Sequence, residues 1–386
     1  MSEKKCRWGF LSAAWIGMKN WQSVALSGNG EIVAVASRDK GKAQAWIDEC
    51  SAHVPMPSSA NGAEAVEGYD ALLARDDIDA VYIPLPTGVR SEWVIKAAQA
   101  GKHVMCEKPC GIDVAETEAQ LAACNEAGVQ FMDGVMFMHS KRLDALRETL
   151  TDGSIGELRR IHSAFSFNGG DDFVSGNIRM HSDLEPLGCL GDLGWYNIRF
   201  NLWTMEYAMP KAVSGRMIRG AARGDSPDQV PVEFSGELFY ENDVTASYYC
   251  SFITANQQWA HVCGTDGTLR VDDFVVPFFG SEAKYTVSNT ESNQHVCDFN
   301  MEQRDRIVSV KEHANAHPTA QEANLFRNFG DLVLSGETDP KWGEITRQTQ
   351  QVMMACLESA KQDGARVELN GFYPPPPLIN PPSTSR

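Results

Sequence analysis

No apolar run in this chain approaches the roughly 18 residues that a membrane helix needs, and Met1 to Lys5 carry no signal-peptide hydrophobic stretch. Positive charge is scarce: 34 Lys and Arg stand against 51 Asp and Glu, a formal charge of −17. A field of that sign repels a phosphate backbone, so neither nucleic acid nor an anionic membrane is an expected partner. CxxC pairs are absent, and the ten cysteines follow no regular spacing. That is the pattern of reduced thiols in a cytoplasmic protein, not of a disulfide framework. What the sequence does have is length and apolar content, with 386 residues of which 43% are hydrophobic, enough for two or three domains with real cores.

The first third alternates short β-branched runs with helical periodicity, as βαβ units do. Strands are predicted at Arg7–Leu11, Ile32–Ala36, Ala80–Ile83, His103–Cys106 and Gln130–Asp133. Helices are predicted at Ser91–Ala100 and Val114–Ala127, closed by Gly101 and Gly128. Beyond Gly134 the pattern changes: a helix over Lys141–Leu150 leads into period-two segments at Leu158–Phe167, Val232–Tyr240, Thr245–Phe252 and Trp259–Val271. Asp266-Gly267 supplies a hairpin turn within the last of these. Two further helices, Gln321–Ser335 and Glu344–Gln362, return over the structure. The fold class is therefore α/β: an N-terminal Rossmann-type, doubly wound parallel sheet (1–134), then a C-terminal α/β domain with an open, mainly antiparallel sheet (135–372). The Pro-rich tail, 373–386, cannot continue a helix or a central strand.

The turn after the first strand reads Ser12-Ala13-Ala14-Trp15-Ile16-Gly17, a GxGxxG-like pattern in which Ser and Ala replace two glycines. These small residues still let the backbone approach a pyrophosphate at a helix N-terminus. The second strand closes in Ser37-Arg38-Asp39, with Lys42 four residues after Arg38. An NAD site usually places Asp or Glu at this strand end; Ser37 and Arg38 suit a 2′-phosphate, which makes NADP the expected cofactor and NAD the lesser choice. The charge of the whole chain opposes such an anion, so local cations and the helix terminus must hold it.

The strand at His103–Cys106 runs into Glu107-Lys108-Pro109, at the carboxyl edge where open α/β sheets bind ligands. Together with Gly101-Lys102-His103-Val104, this resembles the signature of the glucose-fructose oxidoreductase, inositol dehydrogenase and rhizopine-catabolism (Gfo/Idh/MocA) family. Leu85-Pro86-Thr87 followed by Arg90 is similar to the family's Thr-Pro-Asn-x-x-His segment, with Arg90 in place of the usual His. Gly188 to Tyr196 resembles its Gly-rich stretch ending in Asp-x-Gly-x-x-His or Tyr, and Gly264 to Leu269 its late hairpin. The resemblance implies Lys108, Tyr196 and Asp192 as catalytic residues. It implies cofactor contacts from Ser12, Ala13, Ala14, Trp15, Ile16, Ser37, Arg38, Lys42, Pro84, Leu85, Thr87, Arg90, Glu107 and Lys108.

Hydride exchange at a secondary alcohol needs a group that moves the hydroxyl proton and one that polarises the oxygen. An ammonium beside Tyr196 is expected to lower its phenol pKa, and Asp192, one helical turn earlier, to orient Lys108 or substrate. Arg179 and His181 are candidate substrate contacts, Trp15 and Trp195 candidate stacking residues, and His139, with Met136 and Met138, a candidate border. No metal site is expected, since Cys106 and Cys110 lack ligand spacing. Tyr196, Ser37 and Arg38 resemble the NADP-linked branch that acts on sugars, cyclic polyols and diols. Two alternatives stay open: a non-catalytic NADP-binding sensor of the same fold, and a sugar–sugar oxidoreductase that never releases its NADP. The resemblance also implies a homodimer or homotetramer.

Overall fold

The computed structural model describes residues 4–56 and 62–369. The first sheet consists of β1 (Cys6–Leu11), β2 (Gly30–Ser37), β3 (Glu64–Glu67), β4 (Ala80–Ile83), β5 (His103–Cys106) and β6 (Phe131–Asp133). All six are parallel, in the order β3-β2-β1-β4-β5-β6. The order reverses beside β1, which opens a crevice at the carboxyl ends of β1 and β4. Helices α1 (Trp15–Ser27), α2 (Lys40–His53), α3 (Tyr69–Leu73), α4 (Thr87–Gln99) and α5 (Val114–Glu126) make the crossovers. Both faces of the sheet are covered, which is why β1, β4 and β5 are nearly continuous apolar runs. At Gly9 a Cβ would stand 2.7 Å from the Leu72 side chain and 2.9 Å from Ile78, so only glycine allows the layers this close.

After β6 come α6 (Arg142–Thr151), β7 (Leu158–Asn168), α7 (Gly170–Gly176), α8 (Trp195–Thr204) and β8 (Ala212–Ala221). Next are β9 (Val230–Phe239), β10 (Thr245–Ser251), β11 (Ile253–Gly264), β12 (Thr268–Val271), β13 (Glu282–His295) and β14 (Asp298–Lys311). The chain closes with α9 (Gln321–Ser335), α10 (Lys341–Lys361) and β15 (Val367–Glu368). These nine strands form a second sheet, β14-β13-β12-β11-β7-β10-β9-β8-β15, antiparallel except where β10 runs parallel to β7.

Three features depart from the sequence reading. Strands β3, β8 and the β13–β14 hairpin were not anticipated; the outer half of that hairpin is exposed on both faces and has no apolar alternation to betray it. Helix α4 begins at Thr87, four residues before the expected Ser91. The last two helices also cross back to the first sheet. Trp8 of β1 packs against Phe326 and Phe329 of α9 at centroid distances of 5.1 and 5.0 Å, and Arg327 donates to the carbonyl of Ser27 at 2.8 Å. The Pro-rich tail lies outside the described residues.

His139 belongs to this inter-layer packing, not to the border of the site. It is 6% exposed, stacked on Trp342 at 4.7 Å and hydrogen-bonded to Asn328 at 2.9 Å. Burial, followed by the charges of Lys341 and Arg199, pushes its pKa down to about 3. The unfolded chain therefore takes up the proton first as pH falls, and the stability that neutral His139 contributes is lost progressively below about pH 6.5. Between neutrality and about pH 5 the loss is about 2 kcal/mol for this one group. A denaturation series in which His139→Gln flattens that pH slope checks the assignment; an unchanged slope removes it.

Candidate active site

The carboxyl edge of the first sheet carries the residues singled out in the sequence. At the β1–α1 turn Ser12 has φ of 149°, and Ala14 opens α1 without any side-chain cap. The Gly17 N–H is bonded to the Ala14 carbonyl at 3.0 Å, so the N–H groups of Trp15 and Ile16 are the ones open to a ligand, and an anion is favoured there by the helix dipole. Trp46 donates from its indole to the Ala14 carbonyl at 3.2 Å, which fixes the turn from behind. Gly17 is where a Cβ would press to 3.1 Å from the Trp46 ring. Trp15 stands 82% exposed beside this turn, while Ala13 and Ile16 are half-buried. At the end of β2, Ser37 is buried and its hydroxyl accepts from the Asp39 N–H at 3.3 Å. The Asp39 carboxylate is committed to the N–H of Lys42 at 3.1 Å, capping α2. Arg38, Lys40 and Lys42 are exposed and form no ion pair among the described residues, an open cationic group in an acidic chain.

The next two turns correct the sequence reading. Arg90 is 3% exposed; its guanidinium donates to the carbonyls of Leu85 and Glu107, both at 2.8 Å, and to that of Pro109. It clamps the β4–α4 turn, with Pro84 and Leu85 buried, to the β5 turn, and its three nitrogens are spent on protein instead of a cofactor. Thr87, also expected at the cofactor, donates its hydroxyl to Glu185 at 2.6 Å. Glu107 accepts from Tyr82 at 2.6 Å and from the backbone N–H of Lys108 at 3.2 Å, so it aims the lysine.

Lys108, Asp192, Arg179 and Tyr196 come together in front of these turns. The Lys108 ammonium donates to Asp192 Oδ1 at 2.6 Å and to the Asp192 carbonyl at 2.8 Å. Arg179 Nε meets the other carboxylate oxygen at 2.7 Å. Burial alone would raise the Asp192 carboxyl, but Arg179 and Lys108 together overcome it and hold the group down at about 2. Lys108 Nζ also lies 4.8 Å from the centroid of the Tyr196 ring, so the carboxylate and the ring fix the ammonium between them. Asp192 sits in a π-helical segment, Leu190–Gly194, continuous with α8, a local widening that often marks functional sites.

Tyr196 differs from the expectation. Its ring packs between Phe165 and Phe137, at 5.6 and 6.2 Å, and its hydroxyl points to the Met136 sulfur at 3.6 Å. Burial first, then the carboxylates of Glu107 and Asp192, raise the phenol well above its ordinary value. The neighbouring ammonium does not reverse this, so Tyr196 holds its proton. Trp195 is fully buried, with Arg199 5.8 Å from its ring, and belongs to the core. His181 is half-buried and accepts from the Asp183 N–H at 3.2 Å, a local turn bond that does not bring it to Asp192.

Two family models match the chain, one for an oxidoreductase family with an NAD-binding Rossmann fold at residues 6–135 and one for the GFO/IDH/MocA C-terminal domain at residues 143–270. The chain belongs to the GFO/IDH/MocA oxidoreductase family. Within that family it is similar to the D-xylose 1-dehydrogenase (NADP(+)) 2 of Haloferax volcanii, 31% identical over 368 residues and spanning 94% of this chain and 99% of the relative. It is also similar to the dTDP-3,4-didehydro-2,6-dideoxy-alpha-D-glucose 3-reductase of Actinomadura kijaniata, 29% identical over 337 residues, covering 87% of this chain and 88% of the relative. A solved 3-ketoreductase from Actinomadura kijaniata, in complex with NADP and TDP-benzene, superposes with a TM-score of 0.74 at 26% identity, covering 92% of this chain and 98% of that one.

Sequence reasoning missed Glu185, Tyr82 and Met136 as direct partners of site residues. Glu185 and Tyr82 carried no local signal, because each acts through a residue 98 or 25 positions away. Met136 was near enough in sequence to be named, but its contact with the Tyr196 hydroxyl is made only by the fold.

Proposed function

We propose that this member of the GFO/IDH/MocA family is an NADP-dependent oxidoreductase acting on a carbinol or carbonyl carbon of a sugar, cyclic polyol or diol. The observation that carries the reading is the Lys108–Asp192–Arg179 cluster against Tyr196, placed at the carboxyl edge of the dinucleotide-binding sheet. The residues fit the cofactor: the uncapped α1 terminus suits a pyrophosphate, and Ser37 with Arg38, Lys40 and Lys42, which form no ion pair among the described residues, suits a 2′-phosphate. The names of the relatives, a dehydrogenase that uses NADP and a ketoreductase solved with NADP, support this choice.

The nicotinamide, when bound, exchanges a hydride with the reacting carbon. Lys108 donates a hydrogen bond to the substrate oxygen and stabilises the negative charge that develops there. Asp192 and Arg179 hold Lys108 and the substrate side of the site in place. Tyr196, which keeps its proton, delivers it to that oxygen in the direction of carbonyl reduction. In the direction of alcohol oxidation the same oxygen takes the proton back, so one group serves both directions.

A panel of aldoses, ketoses, cyclic polyols and diols, followed at the nicotinamide absorbance with NADP and NAD in parallel, tests the reading. Turnover with NADP on at least one class supports it; tight NADP binding with no turnover on any class identifies a sensor instead. Arg38→Ala is expected to weaken NADP binding roughly 10- to 100-fold, the range of a hydrogen bond to a charged group, and to leave NAD binding unchanged. An equal loss for both nucleotides rules out Arg38 as the 2′-phosphate ligand.

All ten cysteines are free, eight of them buried, and among the described residues no helix is long and apolar enough to cross a membrane; we place the enzyme in the cytoplasm on these grounds. The exposed Phe278, Phe279, Phe299, Met301 and Ile307 on and beside the β13–β14 hairpin support a homo-oligomer. Sedimentation of the full chain at micromolar concentration as a monomer overturns that part.

A further inference from the structure

Two turns flanking the site are tied to each other across the gap between the sheets. Thr87 opens α4 at the carboxyl edge of the first sheet, and Glu185 lies in the loop leading into the Asp192 segment. The Thr87 N–H donates to Glu185 Oε1 at 3.2 Å, and its hydroxyl to Oε2 at 2.6 Å. Next to them the Gly88 N–H donates to the Leu184 carbonyl at 2.9 Å. A Cβ on Gly88 would stand 1.9 Å from the Asp183 carbonyl oxygen, so the two backbones are in direct contact. Helix α4 has no side-chain cap of its own, since Pro86 stands at the capping position. The acceptors for its first N–H groups come from the other sheet's loop.

That loop carries chemistry at both ends. Arg179, six residues before Glu185, binds Asp192 Oδ2 at 2.7 Å, and Asp192, seven residues after it, binds Lys108 at 2.6 Å. The Arg179–Asp192 pair is internal to the 179–192 segment, so the Glu185–Thr87 contact joins Lys108–Asp192 and Gly88–Leu184 as a third attachment of that segment to the turns of the first sheet. On its outer side the Ser182 N–H donates to Ser226 at 2.9 Å, which leaves the inner side to Glu185.

We propose that Glu185 is a positioning residue, whose two-point grip on Thr87 holds the 179–192 segment in register with the cofactor edge so that Arg179 and Asp192 meet the substrate and Lys108 in the productive arrangement. This rests on reading the cluster as a hydride-transfer centre. Glu185 touches no reacting atom, and its effect passes through the loop. A glutamine at 185 still accepts from the Thr87 N–H and donates to the Thr87 hydroxyl oxygen, so geometry and charge are separable.

The experiment compares Glu185→Ala, Glu185→Gln, Thr87→Val and the Glu185→Ala/Thr87→Val pair. It measures substrate KM and kcat, NADPH affinity by fluorescence, and backbone hydrogen exchange of Gly88 and residues 177–188. Glu185→Ala is expected to raise substrate KM by about tenfold or more, as a misplaced positioning group does, and to speed exchange at Gly88 and in the loop. NADPH affinity changes by less than about twofold, in keeping with a group outside the phosphate cradle. Glu185→Gln restores most of the loss, and the double variant is no worse than the poorer single one. A lower melting temperature with unchanged KM and unchanged exchange reduces Glu185 to a helix cap and overturns the proposal, as does a Gln variant as impaired as Ala. If even the unaltered enzyme turns over no substrate, the hydride-transfer reading fails, and the exchange measurement still decides whether the grip exists.

Discussion

Lys108→Met is expected to lower turnover by about 10²- to 10⁴-fold, the usual contribution of a positioned proton-transfer or charge-stabilising group, while NADP binds nearly as before. The separation follows from geometry. The ammonium is held by Asp192 and lies against the Tyr196 ring; the phosphate contacts proposed above lie elsewhere, at the β1–α1 turn and the end of β2. The variant should also fold. Met matches the lysine stem in length, and the Asp192 carboxylate keeps Arg179 at 2.7 Å, so its buried charge is not stranded. Lys108→Arg is not a mild control, because a planar fork cannot donate from the same point as an ammonium to both Asp192 Oδ1 and the Asp192 backbone carbonyl. Tyr196→Phe is expected to cost about 10²-fold in both directions, because the group that gives the proton in carbonyl reduction takes it back in alcohol oxidation. Single-turnover measurement of the nicotinamide signal with saturating NADP checks both variants. Near-normal turnover in Lys108→Met removes the lysine from the chemistry.

How much of this was readable in the sequence depended on the distance over which each feature is determined. The strands of the first sheet are short, apolar on both faces and punctuated by glycines, so β1, β2, β4 and β5 could be placed to within one or two residues. Lys108 could be singled out because a strand end in an open α/β sheet has a fixed meaning. The proton state of Tyr196 could not, because it is set by Phe165, by Phe137 and Met136, and by Glu107, which arrive from three other stretches of chain. The same limit explains Thr87 and Arg90. Their residue types fit a cofactor turn, but their donors are taken up by Glu185 and by three backbone carbonyls that only the folded chain brings near. Polar strands fared worst: Glu291 to Asn300 is exposed on both faces, and its pairing follows from a neighbouring strand instead of its own pattern.

Arg199→Met is expected to destabilise the protein by about 3–5 kcal/mol, the cost of stranding a buried carboxylate. Arg199 and Asp133 are 0% and 1% exposed at their side chains, and Nη2 meets Oδ2 at 2.5 Å. Arg199 Nε also donates to Thr349 at 2.8 Å, so one guanidinium joins the last strand of the first sheet to α8 and α10. Removing the cation leaves the buried Asp133 without its counter-charge, whereas replacing both partners with apolar side chains leaves no charge to strand. The Arg199→Met/Asp133→Leu double variant should therefore recover most of the loss, since apolar replacement of a buried pair is often neutral. For a chain of 386 residues the single variant's loss corresponds to a fall of about 5 °C in melting temperature if unfolding is cooperative. The consequence reaches the site as well. Tyr196 lies three residues before Arg199 on α8, so loosening this anchor moves the phenol relative to Lys108, and kcat should fall further than the folded fraction does. Denaturant midpoints for the single and double variants, taken with kcat on the folded fraction, check both halves. A single variant within about 1 kcal/mol of the parent shows that Asp133 is not an isolated buried charge, and the link between the two sheets then rests on the α9 and α10 packing instead.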